Sequence, residues 1–267
     1  MSQKSEPWID FSGRICVVTG ANGGIGTGLV RAFAALGADI AMIDRVETSG
    51  TLEEEVRRAG RKALSLVCDV SDISSVEKAA EQVRSELGGC DILVNNAGLL
   101  RPGKLEALDA ADWESLIAVN LHGYFHCVQA FGRQMLERKR GALVHVASIA
   151  GSQPQAFSGG YSAAKAAVAM MSRQLAFEWG PSGVRSNVVS PGLVRTPLSE
   201  NFYRTPDVKE RREAVVPSRR IGAVEDIADV AVFLASDRAG YVNGQEIVVD
   251  GGFSQTLMSH IPRPGYE

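Results

Sequence analysis

The sequence predicts an α/β fold: a doubly wound, seven-stranded, mainly parallel sheet with helices on both faces. Short apolar runs alternate with longer amphipathic stretches from residue 14 to residue 250. The short runs are almost continuously apolar, which is typical of parallel strands covered on both faces. A glycine-rich turn joins the first apolar run to the first amphipathic stretch, and folds of this kind bind ligands at the carboxyl ends of their strands.

Each element follows from its local pattern. Short apolar runs are predicted to be strands, and stretches with apolar residues at helical spacing are predicted to be helices. Their alternation, with right-handed crossovers, gives the parallel sheet. The predicted strands cover 14–19, 39–44, 63–67, 91–95, 142–148, 184–190 and 246–250. The predicted helices cover 25–36, 52–59, 73–87, 110–138, 159–179 and 224–234.

Length and charge limit the classes of protein that fit. A chain of 267 residues, 45% of them apolar, can bury one sizeable core, and without a linker-like stretch we expect a single domain over 1–267. The net charge of -3 and the short basic runs argue against a nucleic-acid partner. The opening residues do not resemble a signal peptide, and no apolar run approaches the ~18 residues of a membrane span. We expect a soluble, cytoplasmic protein without a membrane partner.

The cysteines and histidines do not suggest a metal site. Cys16, Cys68, Cys90 and Cys127 form no C-x-x-C pair, and we expect buried thiols. His122 and His126 have the i, i+4 spacing of two metal ligands, but no third ligand is evident, and an interfacial or core role is expected instead. We therefore predict no metal-binding residues.

The glycine-rich turn over 19–26 predicts a phosphate site. Glycines allow a tight turn and a close approach of the backbone, and the start of the following helix offers unpaired N–H groups to an anion. A dinucleotide pyrophosphate fits this pattern. The residues predicted to bind it are Gly20, Asn22, Gly23, Gly24, Ile25 and Gly26.

Asp44 closes the second predicted strand and bears on the choice of cofactor. A carboxylate at this place accepts hydrogen bonds from the adenosine ribose hydroxyls and repels a 2′-phosphate, which favours NAD. The adjacent Arg45 could instead pair with a 2′-phosphate. NADP therefore remains the alternative cofactor.

Tyr161, Lys165 and Ser148 form a candidate proton-transfer set. Tyr161 and Lys165 share a helix face, and a nearby ammonium would stabilise the tyrosine phenolate. Ser148 closes the fifth predicted strand at the edge where ligands bind, and its hydroxyl can hydrogen-bond a substrate oxygen. A serine hydrolase is the competing interpretation, but G-x-S-x-G is absent and no His or acidic partner is suggested at the positions that a triad requires.

Together these fragments resemble the short-chain dehydrogenase/reductase family, in its single-domain branch. The resemblance covers nearly the whole chain and rests on the order and spacing of several motifs. They are T-G-x-x-x-G-x-G at 19–26, C-D-V at 68–70, N-N-A-G at 95–98, Asn120, Ser148, Y-x-x-x-K at 161–165, P-G at 191–192, N-G at 243–244 and D-G-G at 250–252.

The resemblance implies a Rossmann-type sheet and a catalytic tetrad of Asn120, Ser148, Tyr161 and Lys165. Tyr161 would exchange a proton with the alcohol or ketone, Ser148 would orient that oxygen, and Lys165 would lower the pKa of Tyr161 and bind the nicotinamide ribose. Asn120 would hold a proton-relaying water. Further cofactor contacts are implied for Asp69, Val70, Asn96, Ala97, Gly98, Pro191, Gly192, Val194 and Thr196, beside Asp44, Arg45, Tyr161 and Lys165.

The resemblance also places the substrate, a lid and an interface. Substrate contacts are expected from Ser148, Ala150, Gln155, Phe157, Tyr161 and Leu193, with Leu99, Leu100 and Ile149 nearby, while Arg101 is expected to be a solvated loop residue. The segment 196–217 is expected to be a mobile lid. Helices with many small and apolar residues imply a homodimer or homotetramer, and the tail over 253–267 is expected near a subunit interface.

The predicted function is NAD(H)-dependent interconversion of a secondary alcohol and a ketone with a small-molecule substrate. An NADPH-dependent ketoreductase of acyl or sugar ketones is the alternative, supported by Arg45. A non-catalytic nucleotide-binding regulator is a third reading, since a dinucleotide fold does not by itself imply turnover.

Overall fold

The computed structural model describes residues 7–48, 50–197, 199–262 and 265. Within these residues, seven strands form one sheet with the order β3-β2-β1-β4-β5-β6-β7, and every adjacent pair is parallel. The strands are β1 Ile15–Thr19, β2 Asp39–Asp44, β3 Ala63–Val67, β4 Ile92–Asn95, β5 Gly141–Val146, β6 Val184–Pro191 and β7 Glu246–Val249. The predicted doubly wound α/β fold is confirmed.

The helices agree with the predicted ones in position, with two differences. They are α1 Gly24–Ala35, α2 Gly50–Arg58, α3 Ile73–Leu87, α4 Ala110–Ile117, α5 Gly123–Arg138, α6 Tyr161–Trp179, α7 Val208–Val215 and α8 Val224–Ala235. A π-helical turn, Ala118–His122, lies between α4 and α5 where one helix over 110–138 is predicted. The second difference is α7, a short helix inside the expected lid.

Local sequence explains where several helices begin and end. The Asp72 side chain accepts a hydrogen bond from Ser74 N before α3, and the Asp109 side chain accepts one from Ala111 N before α4. Gly88 ends α3 in the left-handed conformation, with φ of 103°. By contrast, α1 begins after Gly23 without a side-chain cap. Its first N–H groups are therefore available to a ligand.

The core lies on both faces of the sheet. One apolar cluster joins the sheet to α1, α2 and α8, and a second joins it to α3, α5 and α6. Alternate residues of β1 divide between them, since Cys16 and Val18 belong to the first cluster and Ile15 and Val17 to the second. This double covering explains why the strand sequences are almost continuously apolar.

Strand order determines where a cleft opens. β1 lies between β2 and β4, so the chain leaves β1 toward one side of the sheet and returns at β4 on the other. The connections that follow these strands diverge at their carboxyl ends, and the resulting crevice is the usual ligand site of such sheets.

No helix among the described residues is long and apolar enough to cross a membrane. The expected lid and tail are only partly described. Leu198 of the lid and residues 263, 264, 266 and 267 of the tail lie outside the described residues. The described parts of these segments contain 3₁₀ turns at Glu200–Arg204, Phe253–Gln255 and Leu257–His260.

Candidate active site

A cleft of about 690 Å³ opens at the carboxyl ends of β1, β2, β4, β5 and β6. It gathers residues far apart in sequence, because parallel strands deliver their following loops to one edge. All but one of the residues predicted to bind the cofactor line it, and the exception is Gly26. The lining predicted residues are Gly20, Asn22, Gly23, Gly24, Ile25, Asp44, Arg45, Asp69, Val70, Asn96, Ala97, Gly98, Tyr161, Lys165, Pro191, Gly192, Val194 and Thr196.

The turn after β1 is closely packed. Gly20 has a φ of +65°, and Gly23 N donates a hydrogen bond to its carbonyl at 3.1 Å. A Cβ on Gly26 would lie 2.0 Å from the Gly20 oxygen. Gly26 therefore lets the first turn of α1 pack against the glycine turn, and its contribution to a phosphate site is through this packing.

The residues of this turn fit a dinucleotide pyrophosphate. The uncapped amino end of α1 carries a partial positive charge and free N–H groups, and it opens on the cleft through Gly24 and Ile25. The turn is held by Asn96, whose Nδ2 donates to the carbonyls of Thr19 and Gly20 at 3.0 and 3.1 Å. An anion would find a preformed set of backbone donors here.

Asp44 lies at the end of β2 beside the turn. Its Oδ2 accepts a hydrogen bond from Asn22 N at 3.0 Å, and Asn22 in turn donates from Nδ2 to the carbonyls of Val46 and Glu47. Arg45 lines the same part of the cleft with an exposed side chain. The carboxylate and the guanidinium thus both stand where the adenosine ribose is expected.

One further segment lines the side of the cleft beyond Asp44. Cys68, Asp69 and Val70 follow β3, and the Val70 carbonyl lies 3.0 Å from Nδ1 of His126 on α5. This contact ties α5 to the segment that follows β3. Among the described residues, no three His, Cys, Asp or Glu side chains are grouped as metal ligands.

Ser148, Tyr161 and Lys165 meet on one wall of the cleft. Burial raises the pKa of Tyr161 above its usual value, and a hydrogen bond with Ser148 acts in the opposite direction. Burial also lowers the pKa of Lys165 to about 7. The Lys165 Nζ lies 5.7 Å from the centroid of the Tyr161 ring. The lowering of the Tyr161 pKa by Lys165 stays a prediction.

Lys165 is held by groups that the sequence analysis did not identify. Its Nζ donates to the hydroxyl of Tyr124 at 2.9 Å and to the carbonyl of Val146 at 2.8 Å. Tyr124 stands four residues after Asn120, and this helical spacing was the available signal. Other lining residues outside the predicted cofactor and substrate sets are Cys68, Leu99, Leu100, Arg101, Val119, Val146, Ala147, Pro197 and Ser199.

Asn120 is fully buried in the π-helical turn and does not line the cleft. Its Nδ2 donates to the carbonyls of Leu99 and Leu116 at 2.8 and 3.0 Å, and its Oδ1 accepts from Leu99 N at 3.3 Å. The side chain therefore ties the segment after β4 to the π-helical turn. Its predicted role in holding a water is untested.

The predicted substrate residues divide into two groups. Ser148 and Tyr161 line the cleft, whereas Ala150, Gln155, Phe157 and Leu193 do not. Gln155 and Phe157 are exposed, and Phe157 has a left-handed backbone with φ of 60°. Arg101 is exposed, as expected of a solvated loop residue, and it also lines the cleft, with its Nε 3.6 Å from Asp112 Oδ1.

Comparison with known proteins gives concordant matches over nearly the whole chain. Residues 20–254 match a family model described as enoyl-(acyl carrier protein) reductase. The chain is 39% identical to D-threitol dehydrogenase from Mycolicibacterium smegmatis, over 95% of this chain and 99% of that protein. It is 38% identical to galactitol 2-dehydrogenase (L-tagatose-forming) from Cereibacter sphaeroides, over 91% and 96%.

A solved structure is similar in the same way. The crystal structure of a gluconate 5-dehydrogenase from Burkholderia cenocepacia J2315, in complex with NADP and tartrate, superposes with a TM-score of 0.87. The two sequences are 32% identical, and the match covers 93% of this chain and 98% of that one. The similarity therefore includes the cleft and the segments around it.

Proposed function

Because the chain belongs to the short-chain dehydrogenase/reductase family, we propose that Tyr161 is its general acid/base. The protein is an NAD(P)-dependent oxidoreductase that interconverts a secondary alcohol and a ketone. One observation carries the assignment of Tyr161. Its side chain shares a cleft wall with Ser148 and Lys165, and the same cleft begins at the glycine turn.

Each side chain has a distinct part in the proposed reaction. The bound nicotinamide supplies the acceptor or donor of the hydride. During oxidation, Tyr161 takes the hydroxyl proton as the alcohol carbon loses its hydride, and during reduction it returns that proton to the ketone oxygen. Ser148 hydrogen-bonds the same oxygen and fixes its orientation. The Lys165 ammonium stabilises negative charge on Tyr161 and binds the ribose of the cofactor.

Substitution of Tyr161 by phenylalanine tests this role. The variant keeps the ring but has no proton to exchange, so we expect kcat to fall by roughly 10²- to 10⁴-fold, the usual contribution of general acid/base catalysis. Cofactor affinity, measured by fluorescence titration, should change little. The matched control is Tyr241→Phe, at an exposed tyrosine, which should keep full activity. A Tyr161→Phe enzyme with normal turnover would remove this residue from the mechanism.

We propose a polyol or sugar alcohol as the substrate class. The two relatives described above are named for polyols, D-threitol and galactitol. The cleft supports this class, since polar Arg101 and Ser199 line it beside apolar Leu99 and Leu100. Initial rates over linear four- to six-carbon polyols, with cyclohexanol as an apolar comparison, test the proposal. Faster oxidation of cyclohexanol would contradict the polyol assignment and favour a substrate with a hydrophobic body.

We propose NAD as the preferred cofactor, because the Asp44 carboxylate stands beside the turn and repels a 2′-phosphate. NADP is the second candidate. Two observations favour it: Arg45 lines the same region, and the gluconate 5-dehydrogenase structure holds NADP. An NADPH-dependent ketoreductase is the corresponding alternative function.

The single-domain organisation, the lid and the assembly are also proposals. Thr196 and Pro197 line the cleft at the start of the proposed lid. Further along the lid, Arg212 Cζ on α7 lies 5.0 Å from the centroid of the Phe202 ring. Proteolytic protection of this segment by bound cofactor would support a lid.

A homodimer or homotetramer is favoured by two exposed large apolar residues on α6, Met170 and Phe177. Sedimentation equilibrium measures the mass of the assembly.

A further inference from the structure

The Lys165 side chain lines the cleft wall but is almost fully buried. The residue lies on α6, and its Nζ donates to the Tyr124 hydroxyl and to the Val146 carbonyl. Nζ also lies 4.8 Å from the centroid of the Tyr124 ring. Since an ammonium has three N–H donors, two are used inside the protein and one is left for a group in the cleft.

The Tyr124 hydroxyl has a defined orientation in this arrangement. It donates its one proton to the Val146 carbonyl at 2.8 Å, so its oxygen presents a lone pair to Lys165. Tyr124, Lys165 and the Val146 carbonyl thus close a triangle of hydrogen bonds. An acceptor that contacts a buried ammonium favours its charged form and fixes its position.

A second layer of buried polar groups fixes Tyr124 itself. Asn95 Nδ2 donates to the Tyr124 carbonyl at 3.2 Å and lies 3.3 Å from His145 Nδ1. Because Asn95 Nδ2 is a donor, Nδ1 of His145 is the acceptor, and its Nε2–H is directed to Ser186 Oγ at 3.2 Å. Burial lowers the pKa of His145 to about 3, so this ring is neutral. The layer holds Tyr124 without adding a second cation beside Lys165.

We propose that Tyr124 is a positioning residue for Lys165, and this inference rests on the proposed function of the cleft. Its hydroxyl holds the ammonium at the cleft wall and keeps it charged, while Tyr124 itself contacts neither substrate nor cofactor. Tyr124 is thus a fifth residue beside the four of the predicted tetrad, and it acts through Lys165.

Removal of the Tyr124 hydroxyl should lower the pKa of Lys165. The titratable groups that face Lys165 are Tyr124 on α5, Tyr161 on α6 and His145 on β5. With the acceptor removed, the charged form of Lys165 is less stable and its pKa falls further below that of an ordinary lysine. A neutral Lys165 no longer stabilises the Tyr161 phenolate. Turnover should then fall most near and above neutral pH, where Lys165 of the variant has lost its charge.

Tyr124→Phe is the direct test. We expect the pKa of Lys165, followed by NMR of lysine-labelled protein, to fall by about one unit. At and above pH 7, kcat for oxidation should fall about five- to tenfold, and the loss should shrink below pH 6, where Lys165 is charged in both proteins. KM should change less than kcat. Tyr124→Leu also lacks the hydroxyl and should shift the Lys165 pKa in the same direction. If one of the two variants folds poorly, the other still provides the test.

The matched control is Ser172→Ala, which removes another buried hydroxyl. Ser172 Oγ contacts Ser186 Oγ at 2.8 Å and does not touch Lys165. The control should lower the melting temperature without moving the Lys165 pKa or the pH profile. If the Tyr124 variants behave like this control, the hydroxyl is only structural and the proposal is wrong.

The NMR titration separates this proposal from the function on which it rests. A wild-type protein that oxidises no alcohol with either cofactor would defeat the proposed function. A fall in the Lys165 pKa in Tyr124→Phe would still support the positioning contact, whereas an unchanged pKa in a folded, active enzyme would overturn it.

Discussion

At the scale of single residues, Asp44 combines a structural contact with a charge. Its Oδ2 accepts the Asn22 N–H, which fixes the glycine turn, and its carboxylate lines the cleft beside Arg45. An asparagine could keep an oxygen as the acceptor for Asn22 N–H while losing the charge. The two contributions can therefore be separated by one substitution.

We predict that Asp44→Asn changes cofactor choice more than stability. Removing a like charge near a 2′-phosphate relieves a repulsion, so the ratio of kcat/KM with NAD to that with NADP should fall roughly 10- to 100-fold. The control is Asp39→Asn at the opposite end of β2, where the side chain accepts from Lys62 N at 2.9 Å. Initial rates with both cofactors measure the ratio. An unchanged ratio would mean that Asp44 does not select the cofactor.

The residues that sequence analysis missed have a common physical cause. Asn120 and the glycine turn are recognisable because their motifs repeat a known spacing. Tyr124 belongs to no such motif, and its spacing from Asn120 indicates only a shared helix face, whereas its contact with Lys165 depends on the packing of α5 against α6. Gln155 and Phe157 are exposed in their loop, and their substrate contacts, implied by the family resemblance, stay predictions. Loop direction depends on tertiary contacts that a single sequence does not encode locally.

At the scale of elements, regular periodicity made the strands and helices predictable. The predicted and observed bounds of β2 and β3 agree. The π-helical turn at Ala118–His122 escaped prediction, since one wider turn within a helix barely alters its apolar pattern. This turn nevertheless presents Asn120 to the segment after β4. The unpredicted irregularity thus shapes the site.

The amino end of α1 packs against the loop that follows β6. A Cβ on Gly24 would lie 2.8 Å from both Pro197 Cδ and Thr196 Cβ. We predict that Gly24→Ala displaces this loop and raises the KM for the cofactor about tenfold. The control is Gly50→Ala at the start of α2, where a Cβ meets nothing within 4 Å. Calorimetric titration with NAD compares the two, and equal affinities would contradict the packing argument.

At the scale of the whole molecule, buried polar groups make stability depend on pH. His145 is neutral in the folded protein down to a pKa of about 3, while its value when exposed is 6.5. Below pH 6.5, His145 is protonated in the unfolded chain but stays neutral in the folded chain until the pH approaches 3. Its folded pKa is depressed, so the contribution of His145 to stability is full above pH 6.5 and is lost as the pH falls toward 3.

We predict that His145→Gln weakens this acid dependence. Between pH 7 and pH 5, the free energy of unfolding of the wild type should fall by about 2 kcal/mol more than that of the variant. Urea unfolding at a fixed protein concentration measures both. His260→Gln, at an exposed histidine, should keep the wild-type slope. Parallel slopes for His145→Gln and the wild type would show that another group controls acid stability.

The strand order has a consequence for how the protein is made. A chain leaving the ribosome adds β2 beside β1 and β3 beside β2, then returns with β4 to the free edge of β1. β5, β6 and β7 follow outward in the order of synthesis, and each described strand finds its edge already formed. The glycine turn and Asp44 are released early, whereas Pro191 and Thr196 come late. The order of synthesis therefore places the residues of the proposed adenosine side of the cleft before those of the proposed hydride-transfer wall.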